Sequence, residues 1–170
     1  MNKERLTALC LIILAAALSR VLPHPHNVAP IAAIALFSGA HFERKWMAFA
    51  LPLLAMLVSD AVIGFYPEIW VTYLAFSLVV CLGLVLARNK GVLQVACATL
   101  AGSVTFFLIT NFAPFYTLYP HTMDGIAQSY AMALPFFRNT LLGDAFYVTI
   151  LFGGFALMQR KFSRLQVAAA

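Results

Sequence analysis

Apolar runs broken by short polar stretches set the layout of this chain. Six runs stand out, at residues 6–23, 30–42, 46–64, 70–87, 92–112 and 140–158, and five of them approach the ~20 residues that a helix needs to cross a bilayer core. The second is short, which predicts a tilted helix, one partly outside the membrane, or one that starts before Pro30. Between the last two runs, Met123, Ile126, Ala127, Tyr130, Ala131 and Leu134 recur at helical spacing. They predict a short amphipathic helix that Pro135 stops, lying over the bundle as a lid or at the lipid interface. The pattern as a whole predicts an all-α membrane protein: one transmembrane domain over residues 1–170 with six membrane-spanning helices.

Composition agrees. Apolar residues make up 63% of the chain and charged ones 10%, against about half and about a quarter in soluble domains, and the mean hydropathy is +0.90. The first run, which continues to Leu22, is expected to stay as a helix rather than be removed as a signal peptide. The net charge of +5 does not point to nucleic acid, because the basic residues sit in ones, twos and threes at segment ends. With the N-terminus in the cytoplasm, Lys3, Arg5, Arg44, Lys45, Arg88, Lys90, Arg160, Lys161 and Arg164 all fall inside, and only Arg20 and Arg138 fall outside. That asymmetry is the positive-inside pattern for six helices with both termini cytoplasmic.

This orientation places three connections outside: Arg20 to Pro30, Phe65 to Glu68, and a long one from about Ala113 to Asn139. They carry His24, His26, Asn27, Tyr66, Tyr116, Tyr119, His121 and Arg138, whereas the inner connections are brief and basic. Asp60 and Asp144 lie near the outer helix ends, and an intramembrane carboxylate is costly enough to need a partner. Ion pairs with Arg20 or Arg138, direct ligand contact and proton coupling are three readings of them. Asn111, near the outer end of its run, is an interhelical hydrogen-bond partner or part of a site. An aromatic-walled, polar-rimmed outer cavity follows from these positions.

The chain lacks a Gly-x-Ser-x-Gly elbow, a His-Glu-x-x-His pair and a glycine-rich phosphate loop, so no enzyme class is indicated and the chain alone has no ATP site to drive a pump. His-Pro-His has no carboxylate beside it and makes a poor structural zinc site. Cys10, Cys81 and Cys97 all lie inside hydrophobic runs. Each reads first as a small buried hydrophobe, though Cys81, near the middle of the fourth run, could alternatively meet a soft metal from the floor of an outer cavity.

Arg20-Val-Leu-Pro-His-Pro-His-Asn-Val-Ala-Pro-Ile-Ala-Ala, Leu57-Val-Ser-Asp60, Tyr119-Pro-His-Thr and Pro135-Phe-Phe-Arg-Asn-Thr-Leu-Leu-Gly-Asp144 together resemble the BtuM family of vitamin B12 transporters, relatives of the substrate-binding S components of energy-coupling-factor transporters. The resemblance implies a six-helix S-component fold in the bacterial inner membrane, with cobalamin bound under the outer loops. It implies ligand contacts from His24, His26, Asn27, Asp60, Tyr66, Tyr116, Tyr119, His121, Arg138 and Asp144. It also implies Cys81 as axial ligand to the cobalt, with decyanation of cyanocobalamin as a side chemistry. Docking onto a shared ATPase energy-coupling module is not expected, since the first run offers only Ala15 and Ser19 at the Ala-x-x-x-Ala spacing. The rival readings are an S component for another vitamin or precursor and a structural membrane scaffold.

Overall fold

The computed structural model describes residues 1–23 and 27–166, without the side chains of 113–117. Every element among the described residues is helical: α1 (Lys3–Leu18), α2 (Ile31–His41), α3 (Lys45–Ile63), α4 (Ile69–Leu86), α5 (Val92–Thr117), α6 (Met123–Val148) and α7 (Gly154–Lys161), with a π turn at Thr149–Gly153 joining the last two. Four of these stretches are long and apolar enough to cross a membrane: α3, α4, residues Val92–Phe112 of α5, and the continuous run Met123–Lys161. The chain is a helical, multi-pass membrane protein. Of the six expected spans, α1 with 16 residues and α2 with 11 fall short of span length.

The shortness of α2 has a structural cause. At about 1.5 Å per residue it reaches only half of a ~30 Å core, and every residue from Ala32 to His41 is buried. A helix that is apolar all round belongs in an interior, and α2 packs against α1, α3, α4, α5 and α6. It starts directly after Pro30, so its true start is not earlier. Its closest neighbour is α4, where Gly39 faces Gly83. A Cβ on Gly39 would lie 2.3 Å from the Val80 carbonyl oxygen and 2.7 Å from the Gly83 Cα, and a Cβ on Gly83 would lie 2.5 Å from the Leu36 oxygen. Without a strong hydrophobic drive between helices in lipid, such close backbone approach is how they gain packing energy.

On its other side α2 repairs α3. Pro52 lies inside α3 and has no N–H to give to the carbonyl four residues back, that of Ala48. The buried Ser38 hydroxyl of α2 donates to that same Ala48 carbonyl at 2.5 Å. The freed backbone group is thus satisfied by a neighbouring helix, as an interior proline requires.

The expected long connection from Ala113 to Asn139 is instead mostly helix. α5 runs on to Thr117 and α6 begins at Met123, so only a short turn separates them. Pro135 does not stop the amphipathic segment as expected; α6 passes through it. The reason is an antiparallel partner on both sides of the proline. Ser129 and Tyr130 donate to the Asn111 and Leu108 carbonyls at 2.8 and 2.6 Å, and the Phe107 and Phe137 ring centroids are 4.5 Å apart.

At one end of the bundle the two chain ends are tied together. Buried Arg5 donates to the Leu165 carbonyl at 2.5 Å, Asn2 to the Arg164 carbonyl at 2.6 Å, and Arg164 pairs with Glu4 at 2.9 Å. The Met1 ammonium meets Glu43. This is the basic end, and the segments at Asn27 and Tyr66 lie at the other, the loop end. Because Gly39 and Gly83 leave no room between backbones, Gly39→Ala or Gly83→Ala should destabilise the protein by about 3 kcal/mol or more, read as a lowered melting temperature in detergent. Ala at Gly153, where a Cβ meets nothing within 4 Å, should leave that temperature nearly unchanged.

Candidate functional site

A cavity of about 660 Å³ opens at the loop end, within the size range of small-molecule sites. Helices α2 to α6 and the connections at the loop end build it. Asn27 comes from the segment before α2 and Tyr66 and Glu68 from the α3–α4 connection; Thr72 is on α4, Thr110 and Asn111 on α5, and Thr140 and Asp144 on α6. Phe106 and Phe107 add an aromatic wall. Asn27 holds a left-handed backbone, φ 61°, which asparagine tolerates better than most residues. The Tyr66 hydroxyl lies 2.7 Å from the Thr72 hydroxyl, so the loop is pinned to the start of α4.

Arg20 also lines the cavity, but its charge is already engaged. Its Nη1 lies 2.7 Å from Asp60 Oδ1 and 2.6 Å from the Ser59 hydroxyl, while the Tyr73 hydroxyl donates to Asp60 Oδ2 at 2.8 Å. Asp60 is 2% exposed, and both of its oxygens are paired. Here the ion-pair reading of Asp60 holds: the pair ties the end of α1 to α3, and Asp60 itself is not among the cavity-lining residues. Asp144 differs. It is equally buried, at 2%, yet its partner is the Ser103 hydroxyl at 2.6 Å, and among the described residues it forms no ion pair. The second expected pair is absent because Arg138 sits on an exposed part of α6, six residues and therefore about 240° around the helix from Asp144.

The structure brings together Asn27, Tyr66 and Asp144 from the expected site. His121 is exposed and Tyr119 half-buried; neither they nor Arg138 line the cavity. His24, His26 and the Tyr116 side chain lie outside the described residues. Cys81 is the largest departure. It is exposed, on the stripe Leu74, Leu78, Cys81 and Val85 that α4 turns outward, and nine residues from Thr72 puts it about 180° around the helix from the cavity wall. A thiol there reaches lipid, not the cavity, and no group of three or more His, Cys, Asp or Glu residues among those described is arranged to hold a metal.

Sequence reasoning did not assign a site role to Thr72, Thr110 or Thr140. Their common signal is a hydroxyl on an otherwise apolar helix at the loop end. What the cavity offers chemically is two carboxylates, Glu68 and Asp144, with hydroxyls and amides around them and one neutralised arginine. It suits a ligand rich in hydrogen-bond donors, neutral or cationic.

Over residues 1–166 the chain matches a family described as a family of unknown function (DUF6580). The chain belongs to that family. No curated protein and no solved structure matches it. Within the family's span lies a second cavity, of about 620 Å³, at the basic end between α5 and the α6–α7 run. Lys90 stands at its rim, its ammonium held below the ordinary value by burial and by nearby Arg5.

Removing one member of the Arg20–Asp60 pair strands a buried charge. Arg20→Met should therefore cost about 3–5 kcal/mol, whereas the double change to Arg20→Met and Asp60→Leu should cost clearly less than the sum of the single ones. Melting temperatures of the three variants in one detergent check this; simple additivity would rule out a coupled buried pair.

Proposed function

We propose that this protein binds a small polar solute at the outer face of the bacterial inner membrane and carries it inward. The observation that carries this reading is the loop-end cavity, about 660 Å³ in volume, at the end of the bundle away from the basic residues. Nine of the eleven Lys and Arg residues fall on the opposite side in the six-helix topology, and the positive-inside rule then turns the cavity outward and sets both termini in the cytoplasm. Short α1 and α2 complete six passages, α2 as an enclosed half-length helix. This is the arrangement the resemblance to vitamin S components implies, with the protein working without an ATPase module.

Cobalamin is the first ligand to try on the strength of that resemblance. Asn27, Tyr66, Asn111 and Asp144 would meet its amides, and Phe106 and Phe107 its apolar faces. Cobalt would take no ligand from Cys81, and the chain would therefore not decyanate cyanocobalamin through that thiol. Donor-bearing cationic or neutral vitamins fit the same carboxylate-and-amide lining and form the comparison panel.

Equilibrium binding to the purified protein, with the visible spectrum as a second readout for cobalamin, separates these statements. Thr140→Trp should fill the cavity and weaken binding at least tenfold, while Cys81→Ser should leave both affinity and spectrum unchanged. A spectrum that shifts with Cys81→Ser would return the cobalt to that thiol. If no vitamin of the panel binds, the chain is a scaffold and the uptake reading falls.

A further inference from the structure

One cavity lies at the loop end and the other runs between α5 and the α6–α7 run to the basic end, and very little separates them. Asp144 lines the loop-end cavity, and Ser103 lines the basic-end one. The two side chains meet in a single hydrogen bond of 2.6 Å, and both residues are buried, Ser103 fully and Asp144 to 98%. Beside that bond is a small void that has no room for a water molecule, bordered by Thr99, Gly102, Asp144 and Val148 and, on the other side, by Ala32, Ala33 and Leu36 of α2 and Val79 of α4. Between one cavity and the other there is thus a dry partition about one side-chain pair thick.

On the α5 and α6 sides, the wall around this partition is made of parts that move cheaply. Gly102 has only the Val79 methyl groups within 4 Å of an added Cβ, the nearer at 3.2 Å, so α5 is not clamped by backbone contact there as α2 is at Gly39. On the other side, the helix carrying Asp144 passes into the π turn Thr149–Gly153, and Thr149, Phe152 and Gly153 line the basic-end cavity. A π turn is a local widening of a helix that leaves room for register adjustment and recurs at functional sites. Among the described residues the carboxylate has no cation partner to fix it: a neutral hydroxyl partner holds it with less energy than a guanidinium would. Asp60, fully paired beside the same cavity, shows the contrast.

We propose that the Ser103–Asp144 hydrogen bond is the closed gate of one solute path through the bundle, the loop-end cavity being its outer half and the basic-end cavity its inner half. The inference rests on the uptake reading above and extends it by naming the exit and the barrier. Breaking the bond lets Asp144 swing into the outer half and joins the two cavities beside the π turn. The solute then passes between α5 and α6, along the face of α2 that borders both cavities.

Sidedness of thiol labelling tests this without any ligand, so its failure is distinct from a failure to bind vitamin. In a chain with Cys10→Ser, Cys81→Ser and Cys97→Ser, single cysteines are placed at the outer half (Thr140→Cys) and the inner half (Thr99→Cys). A membrane-impermeant maleimide is then added to right-side-out and to inside-out vesicles. Thr140→Cys is expected to react from the outer face only and Thr99→Cys from the inner face only. Adding Ser103→Ala, which removes one hydroxyl and keeps the packing, should raise labelling from the opposite face at least tenfold at both positions, and Asp144→Ala should do the same. Where Asp144→Ala fails to fold, Ser103→Ala decides. The proposal is overturned if Ser103→Ala keeps the original sidedness while same-face labelling persists, or if both cysteines react from the same face in the starting chain.

Discussion

The contact on which this structure depends is the backbone approach of α2 to α4 at Gly39 and Gly83. No side chain separates the two helices there, so α2 is drawn into the middle of the bundle and its 11 residues become enclosed rather than lipid-facing. An enclosed helix must be apolar on every side and must offer its few polar atoms to neighbours. Ser38 does so by satisfying the Ala48 carbonyl freed by Pro52. The remaining helices are arranged around α2, and because it is only half as long as a span, space is left beyond its ends. The loop-end cavity occupies one such space, with Ile31 and Ala32 at the start of α2 in its lining; His41 at the other end lines the basic-end cavity.

Two buried carboxylates divide the work of this interior. Asp60 has a guanidinium, and a phenol that donates to its second oxygen, so it is a structural tie between α1, α3 and α4. Asp144 has one hydroxyl and faces open volume. The difference lies wholly in their partners: a buried charge that is fully paired is fixed in place, while one held by a single neutral hydrogen bond is free to exchange that bond for another. That is why the same residue type, at the same degree of burial, ties helices together in one place and lines an open cavity in the other.

Much of the architecture was legible in the chain. Apolar runs marked every helix, and their polar boundaries came within a few residues of the observed ends of α2, α3 and α4. Asn27, Tyr66 and Asp144 are readable as residues that line one cavity because each is a polar group at the loop end of an apolar run. The errors have a common cause. Pro135 was read as a stop because an isolated helix breaks at proline, but α6 is braced by α5 on both sides of it. Cys81 lies on the expected helix but on its outward face, since hydropathy gives the position along a helix and not its rotation when apolar residues surround it. Arg138 offers itself as a partner because it and Arg20 are the only cations outside the basic segments, but charge placement along the chain takes no account of the 240° that separates it from Asp144.

By itself the sequence determined what can be computed from short windows: helical, membrane-embedded segments, a basic end and an end bearing aromatics, amides and acids. These are one-dimensional properties, set by the transfer cost of each residue and by where charge accumulates. Only the tertiary structure decided which carboxylate receives the arginine, that Cys81 faces outward, and that two cavities approach within one hydrogen bond of each other. The partners involved are far apart in the chain, Arg20 with Asp60 and Ser103 with Asp144, and helices this uniformly apolar choose their rotation by packing. Small residues such as Gly39, Gly83 and Gly102 set that packing, and their effect exists only when two helices meet.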